Sequence, residues 1–411
     1  MKLKKYIYGV VLGALALTTT SCYNADKDFP DYEGGTKAYF AYQNPIRTLV
    51  LGNDIYDNSL DNAHKCRIWA TMGGAYAGRN AVVSVEIDES LCNNLYFLDD
   101  GGYERAKVLP LPHDLYNYED VKNATINYNG DSRGYLEIEF TDDFFKNPKT
   151  SSADTTYVIP VRMTGVTGID ALLSGTPNKA NPIRQNANDW SILPKDYTLY
   201  CVRYMNRWQG KYIRRGTDEV TEAEDGSVWT HIRKDTTLIK SDPGRYPINL
   251  VNQNDEVVGM TTINMNKTLF PITVERNVNA KGKARQSLPC NLILTFKDAE
   301  SDECTISTND ANVEVSGTGK FIAKGTELEQ YKEFQWGNLN GQLVQRDILD
   351  LAYTIKFKKG MVIGYDKEKE EDILLAEDVD VKSTDILVVQ TRESNKREWF
   401  DYKYNDQYAG N

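Results

Sequence analysis

Leu351-Ala352-Tyr353-Thr354-Ile355-Lys356-Phe357 is the cleanest alternation in this chain of 411 residues. Leu351, Tyr353, Ile355 and Phe357 fall on one side of an extended backbone and Ala352, Thr354 and Lys356 on the other, the period-two pattern of a half-buried strand. The pattern recurs on either side of it. Val83, Val85 and Ile87 alternate with Ser84, Glu86 and Asp88; Leu136, Ile138 and Phe140 alternate with Glu137 and Glu139. The run from Tyr157 to Met163 reads as a further strand, with Pro160 favouring a sheet edge because it lacks an N–H for one ladder. More strands are predicted over 197–204, 228–234, 291–297, 312–323 and 386–391. Gly73-Gly74, Gly101-Gly102 and Asn129-Gly130 punctuate the runs at turn-like intervals. Only 141–147 reads as helix, with Thr141 as its cap and Asp142 and Asp143 in the first turn. Many short strands with almost no helix make an all-β chain, and an antiparallel arrangement is favoured over βαβ units.

The amino terminus carries a different signal. Lys2, Lys4 and Lys5 precede an apolar run from Tyr6 to Leu17, and small hydroxyl residues then lead to Cys22. This is the layout of a secretory signal peptide, and the run is well short of the about 20 apolar residues a spanning helix needs. Cys22 stands where a bacterial lipoprotein carries its acylated cysteine, although Thr19 replaces the leucine of a strict lipobox. The alternative is an incidental cysteine beside an ordinary cleavage site. Lipidation at Cys22 predicts a mature chain tethered to a membrane by acyl groups, in the outer membrane and facing the exterior. Asp26, Asp28, Asp31 and Glu33 follow at once and resemble the export tag of Bacteroidetes surface lipoproteins.

The formal net charge is -11, and removing the three signal lysines takes it to -14 (-11 - 3), with no basic block anywhere. Nucleic-acid binding relies on clustered Lys and Arg that release counterions, so that class of partner is excluded. Cys66, Cys92, Cys201, Cys290 and Cys304 show neither zinc-knuckle nor CxxC spacing. Buried free thiols are the default, with a hairpin disulfide between Cys290 and Cys304 as the alternative. The 26 Tyr and 6 Trp against 12 Phe suit both β-sheets and half-wet binding surfaces.

Val85-Glu-Ile-Asp88, Leu109-Pro-Leu-Pro112 followed by Tyr116-Asn-Tyr118, and Tyr157-Val-Ile-Pro160 together carry a family resemblance. The first domain resembles the N-terminal β-sandwich domain of uncharacterised function found in Bacteroidetes surface lipoproteins, including some with a family-eighteen endoglycosidase. The resemblance implies a role in glycan capture. Trp208-Gln-Gly-Lys-Tyr212 is similar to the opening of calycin-like barrels and to the C-terminal domain often paired with that family. The expected organisation is a signal peptide over 1–21, a lipid-anchor spacer over 22–35, an Ig-like antiparallel β-sandwich over 36–170 and a linker over 171–196. A C-terminal antiparallel β-barrel (calycin/lipocalin-like) or second sandwich is expected over 197–411.

Catalytic and metal motifs are sparse. His64, His113 and His231 are far apart, and no HExxH, GxSxG or phosphate-cradling glycine loop occurs. The DxxDxDxE signature of family-eighteen enzymes is missing, and Glu137 and Glu139 read as a solvated pair rather than a glycosidase dyad. Asn127, Asn129 and Asp131 read as a turn rather than a calcium loop. No cofactor and no metal are expected.

Binding a sugar asks less of a sequence: a flat ring for the C–H face and planar polar groups around it. Trp69 shares a side with Arg67 and Thr71, opposite Cys66, Ile68 and Ala70; Trp229 shares one with His231 and Arg233, opposite Val228 and Ile232. Trp190 lies in the polar connector, and Trp399 lies between Arg397 and Asp401. Trp69, Trp190, Trp229, His231, Arg233 and Trp399 are therefore the candidate carbohydrate-binding residues; the competing reading of each tryptophan is the edge of a core. The expectation is a surface lipoprotein that binds polysaccharide or host glycan for a neighbouring outer-membrane importer and its glycosidases. An endoglycosidase or accessory subunit and a surface adhesin are the alternatives; aromatic alternation in the tail from Phe400 keeps the adhesin in view.

Overall fold

A computed structural model of the protein describes residues 30–151, 157–222, 228–233, 256–277, 285–334, 338–339, 342–392 and 398–405. Cys22, the signal peptide and most of the spacer lie outside them.

Two sheets face each other in the N-terminal half. The smaller has the strand order Ala171–Leu172, Lys37–Tyr39, Lys65–Gly73, Arg133–Glu139. The larger runs Glu398–Trp399, Pro45–Val50, Tyr197–Met205, Tyr157–Thr167, Val82–Ile87, Asn123–Asn127, with Leu109–Pro110 beside Tyr157–Thr167. Between them lie Phe40, Leu49, Ile68, Val83, Val85, Ile126, Leu136, Ile138, Ile159 and Val161, all buried. The larger sheet is covered on its other face too, where Leu91, Leu95, Phe97, Val158, Tyr197, Leu199 and Phe400 form a second core. Burial on both faces explains why 157–161 and 197–202 are nearly continuous apolar runs.

Three expectations need correcting. Tyr197–Met205, expected to open the second domain, is hydrogen-bonded inside this sandwich: antiparallel to Tyr157–Thr167 and parallel to Pro45–Val50. The sandwich is thus of mixed pairing rather than wholly antiparallel. Pro160 lies in a central strand, not at an edge. The ladder with Val82–Ile87 ends at the pair Val161 and Ile87, so Pro160 faces that neighbour where no donor is needed, and its carbonyl accepts from Asp88 N–H. Thr141 does precede the helix Asp142–Lys146, but its hydroxyl donates to Asp114 O (2.9 Å) instead of capping it.

The C-terminal half is an eight-stave, up-and-down antiparallel barrel. Gly210–Glu222, Glu256–Asn264, Lys267–Asn277, Arg285–Phe296, Glu303–Ser307, Val313–Ile322, Ile348–Phe357 and Val379–Thr391 pair in sequence, and the last closes on the first over its whole length. One stave is interrupted: Val228–Arg233 pairs with 216–221 of the first strand and Glu256–Asn264 with 210–214, so the two pieces continue one line. Leu349, Leu351, Tyr353, Ile355 and Phe357 point inward with Phe270, Leu292, Phe296, Val381 and Leu387, as the opening alternation requires. Each such fully buried side chain contributes about 1.5–3 kcal/mol. Gly317 lets neighbouring strands close up: a Cβ there would lie 2.3 Å from Tyr353 Cβ and 2.6 Å from Ala352 O.

The barrel interior also holds charge. Arg214 donates from Nε to Asp385 Oδ2 (2.9 Å), from Nη1 to Glu256 (2.9 Å) and from Nη2 to the Tyr353 hydroxyl (3.1 Å). Tyr353 donates to Asp385 (2.5 Å), and Ser383 donates to Asp218 (2.6 Å).

Cys66, Cys92, Cys290 and Cys304 are free thiols and, like Cys201, are buried. The hairpin disulfide does not form because Cys304 lies opposite Phe296, six residues along the strand from Cys290, which at about 3.4 Å per residue is roughly 20 Å away.

The two halves meet around Asn206 and Arg392. The Asn206 amide donates to Asn264 O, Lys267 O and Thr268 Oγ1 in the barrel. Arg392, at the end of the last stave, reaches back to the carbonyls of Leu51 (3.0 Å), Asn53 (3.1 Å) and Asn206 (2.8 Å). The chain then returns to the sandwich. Phe400 packs on Phe97 with ring centroids 4.8 Å apart, and Tyr402–Tyr404 pairs with Leu95–Leu98. The aromatic alternation of the tail is therefore used within the chain as far as Tyr404.

Candidate functional site

The outer face of the smaller sheet carries an exposed aromatic patch. Along Lys65–Gly73, Cys66, Ile68, Ala70 and Met72 are buried, which turns Lys65, Arg67, Trp69 and Thr71 outward. Along Arg133–Glu139, Gly134, Leu136 and Ile138 are buried, which turns Arg133, Tyr135, Glu137 and Glu139 the same way. The register sets Trp69 directly opposite Tyr135, Arg67 opposite Glu137, Lys65 opposite Glu139 and Thr71 opposite Arg133. Tyr39, on the third strand, lies opposite Thr71 and extends the same face.

Trp69 is 43% exposed and Tyr135 39%. Their ring centroids are 4.9 Å apart with the planes tilted by 57°. The Arg67 guanidinium sits over Tyr135 at 4.2 Å, and that of Arg133 over Trp69 at 4.9 Å. Arg67 is also tied to Glu137 at 3.3 Å, while Lys65 bridges Glu137 (3.3 Å) and Glu139 (3.0 Å). Slight burial tends to raise the Glu137 carboxyl, but hydrogen bonds from Lys65 and Arg67 outweigh it and hold the group below the usual carboxylate range. Glu137 and Glu139 are thus surface carboxylates, exposed as their alternation predicts and ion-paired with Lys65 and Arg67. The surface presents two tilted rings in a frame of planar donors, which can stack on an apolar ligand face and hydrogen-bond its rim.

Trp69 therefore faces outward as expected. Tyr135, Arg133 and Tyr39 are members of the patch that the sequence reading does not nominate, although the alternation that puts Leu136 and Ile138 inside also puts Tyr135 outside.

The other candidates are scattered. Trp190 is only 9% exposed, and its indole N–H donates to Ile183 O (2.8 Å), so it closes a local loop and offers no platform. Trp229 and His231 do come together, stacked with centroids 5.4 Å apart. They sit opposite Val220 and Asp218 and face into the barrel, leaving Val228 and Ile232, at 60% and 61%, on the outside. The sidedness read from the sequence is right and the assignment of its faces is inverted. Arg233 pairs with Gly216 through its backbone. Trp399 is 61% exposed on the edge of the larger sheet, opposite Pro45. Among the described residues no group of three or more His, Cys, Asp or Glu is placed to hold a metal ion.

The comparisons with known proteins fit this two-part architecture. An N-terminal-domain family matches residues 32–170, and a domain of unknown function, DUF5627, matches residues 207–393. The second span coincides with the barrel, from the joint at Arg207 to Arg392. The chain belongs to the same family as a Bacteroides ovatus protein of unknown function known from a crystal structure. The two are 32% identical with a TM-score of 0.68, over 91% of this chain and 100% of that one. A second Bacteroides ovatus protein of unknown function is similar at 14% identity and a TM-score of 0.38, over 89% of this chain and 99% of that one. A multidomain Bacteroides ovatus protein that includes DUF1735 is similar at 12% and 0.37, over 82% and 90%. A search of curated proteins finds no match.

Proposed function

We propose that the protein is a non-catalytic, lipid-anchored outer-membrane protein that binds polysaccharide or host glycan at the cell surface for an importer and its glycosidases. The reading is supported above all by the Trp69–Tyr135 pair, two rings exposed side by side on a rigid sheet. Contiguous exposed apolar groups, unlike single ones, mark interaction sites, and a pair framed by planar donors suits a pyranose, whose C–H face and hydroxyl rim need both. The cysteine at position 22, its preceding apolar run and the acidic residues behind it support the anchor and the location. Each site binds weakly on its own, and many copies tethered to one membrane raise the effective concentration.

The test is affinity electrophoresis of the mature chain in gels containing plant and host polysaccharides, with Trp69→Ala and Tyr135→Ala beside Trp190→Phe as a control. Retardation of the parent chain that weakens about tenfold, equivalent to about 1.4 kcal/mol, in the first two variants supports the reading. Unchanged retardation in both removes the platform. New reducing ends on incubation with the same polymers overturn the non-catalytic part.

A further inference from the structure

The charges on the platform are unevenly matched. At one end Lys65 and Arg67 are taken up by Glu137 and Glu139. At the other end Arg133, exposed and with its guanidinium 4.9 Å from the centre of the Trp69 ring, has no carboxylate partner among the described residues. Close by, the Lys195 ammonium lies 5.8 Å from the centre of the Tyr39 ring and likewise has no carboxylate partner among the described residues. Tyr39, Thr71 and Arg133 form one row across three strands. The aromatic strip of Tyr39, Trp69 and Tyr135 therefore ends in two uncompensated cations, on a chain whose net charge is -11.

A guanidinium seated over an indole face still has N–H donors directed away from the ring, and their fork matches the two oxygens of a carboxylate. Holding it there in advance also reduces the side-chain freedom lost on binding. A neutral saccharide offers this edge only uncharged hydroxyl acceptors, whereas a carboxylate takes it with a charge-assisted, two-pronged bond. We infer that the ligand of this platform is an acidic saccharide, a chain containing uronic acid, with a ring on Trp69 and Tyr135 and its carboxylate on Arg133, and with Lys195 beside Tyr39 taking a second carboxylate. The inference rests on the glycan-binding reading above and narrows it to one chemical class. The overall negative charge of the protein opposes long polyanions, which confines attraction to this local spot and makes affinity fall as salt rises past about 0.15 M.

Isothermal titration of the mature chain at 0.15 M salt tests it, using oligogalacturonate and hyaluronan oligosaccharides, their carboxyl-reduced neutral counterparts, and chondroitin sulfate. The expected result is binding of both uronate ligands, at least tenfold weaker binding of the reduced ones, and at least a tenfold loss in Arg133→Ala. Arg133→Lys, which keeps the charge and loses the planar fork, recovers only part of that loss. Unaltered melting temperatures check that these exposed substitutions leave the fold intact. Equal binding of native and reduced ligands, with Arg133→Ala silent and Trp69→Ala weakened, overturns the inference and leaves the glycan platform standing. Binding of chondroitin sulfate without oligogalacturonate or hyaluronan overturns the uronate assignment in favour of sulfate. Absence of any Trp69-dependent binding to charged or neutral saccharides overturns both.

Discussion

Arg214 and Asp385 form an ion pair at 2.9 Å inside the barrel with neither side chain exposed to solvent. Asp385 also accepts from Tyr353, and its negative charge, second to burial, pushes the tyrosine hydroxyl far above its ordinary value. The three groups come from the first strand, the last strand and the one before it, so the pair is made only when the barrel is closed.

Removing Asp385 takes from the fully buried Arg214 its one fully buried bonded carboxylate and leaves it the partly exposed Glu256. Asp385→Ala is expected to cost about 3–5 kcal/mol, read as a lowered urea midpoint. Replacing both, as Arg214→Met with Asp385→Leu, is expected to recover part of the loss, because Glu256 and the buried Asp218 lose their cation. Equal destabilisation by the single and double variants would count against an electrostatic origin.

Arg392 couples the two halves through three carbonyls of the joint. A single calorimetric transition is expected for the parent, and Arg392→Ala is expected to separate the unfolding of sandwich and barrel into two. A single transition that merely shifts would assign Arg392 to barrel stability alone.

Burial pushes the thiols of Cys66, Cys92, Cys290 and Cys304 up to about 12. The raised value means that at pH 8 about one thiol in ten thousand is ionised, and only the thiolate reacts. The native protein is expected to resist iodoacetamide at these four positions at pH 8, with labelling only after denaturation. Peptide mass spectrometry distinguishes the outcomes, and fast labelling of Cys290 or Cys304 would show that the barrel opens.

Gly317 has backbone on the side where a Cβ would project. Gly317→Ala is expected to destabilise by about 1–3 kcal/mol. Gly259→Ala, with nothing within 4 Å of the new atom, is expected to stay within about 0.5 kcal/mol of the parent in the same melt.

Much of this architecture is legible in period-two patterns, because a strand with one wet face has to alternate. The staves around Leu351 and Tyr353 and the outward side of Trp69 follow directly. Other features depend on contacts between distant segments. A continuous apolar run such as 197–202 announces burial on both faces but not which sheet provides it, so Tyr197–Met205 reads as the start of a new domain. Val228 and Ile232 look like the inner side of their strand until the pairing of Trp229 with Val220 reverses it. Trp190 sits in a polar, proline-rich stretch, and nothing local reveals that Ile183 O takes its N–H. Tyr135 and Arg133 become a site only through the register that brings them to Trp69 and Thr71.

The barrel begins directly after one sandwich strand, and the chain from its last stave comes back to lay Glu398–Trp399 against another. A module hung from a single linker can tumble; one gripped at both ends, like the handle of a jug, resists torque. Whatever settles on one half of this molecule therefore keeps a fixed bearing toward the other.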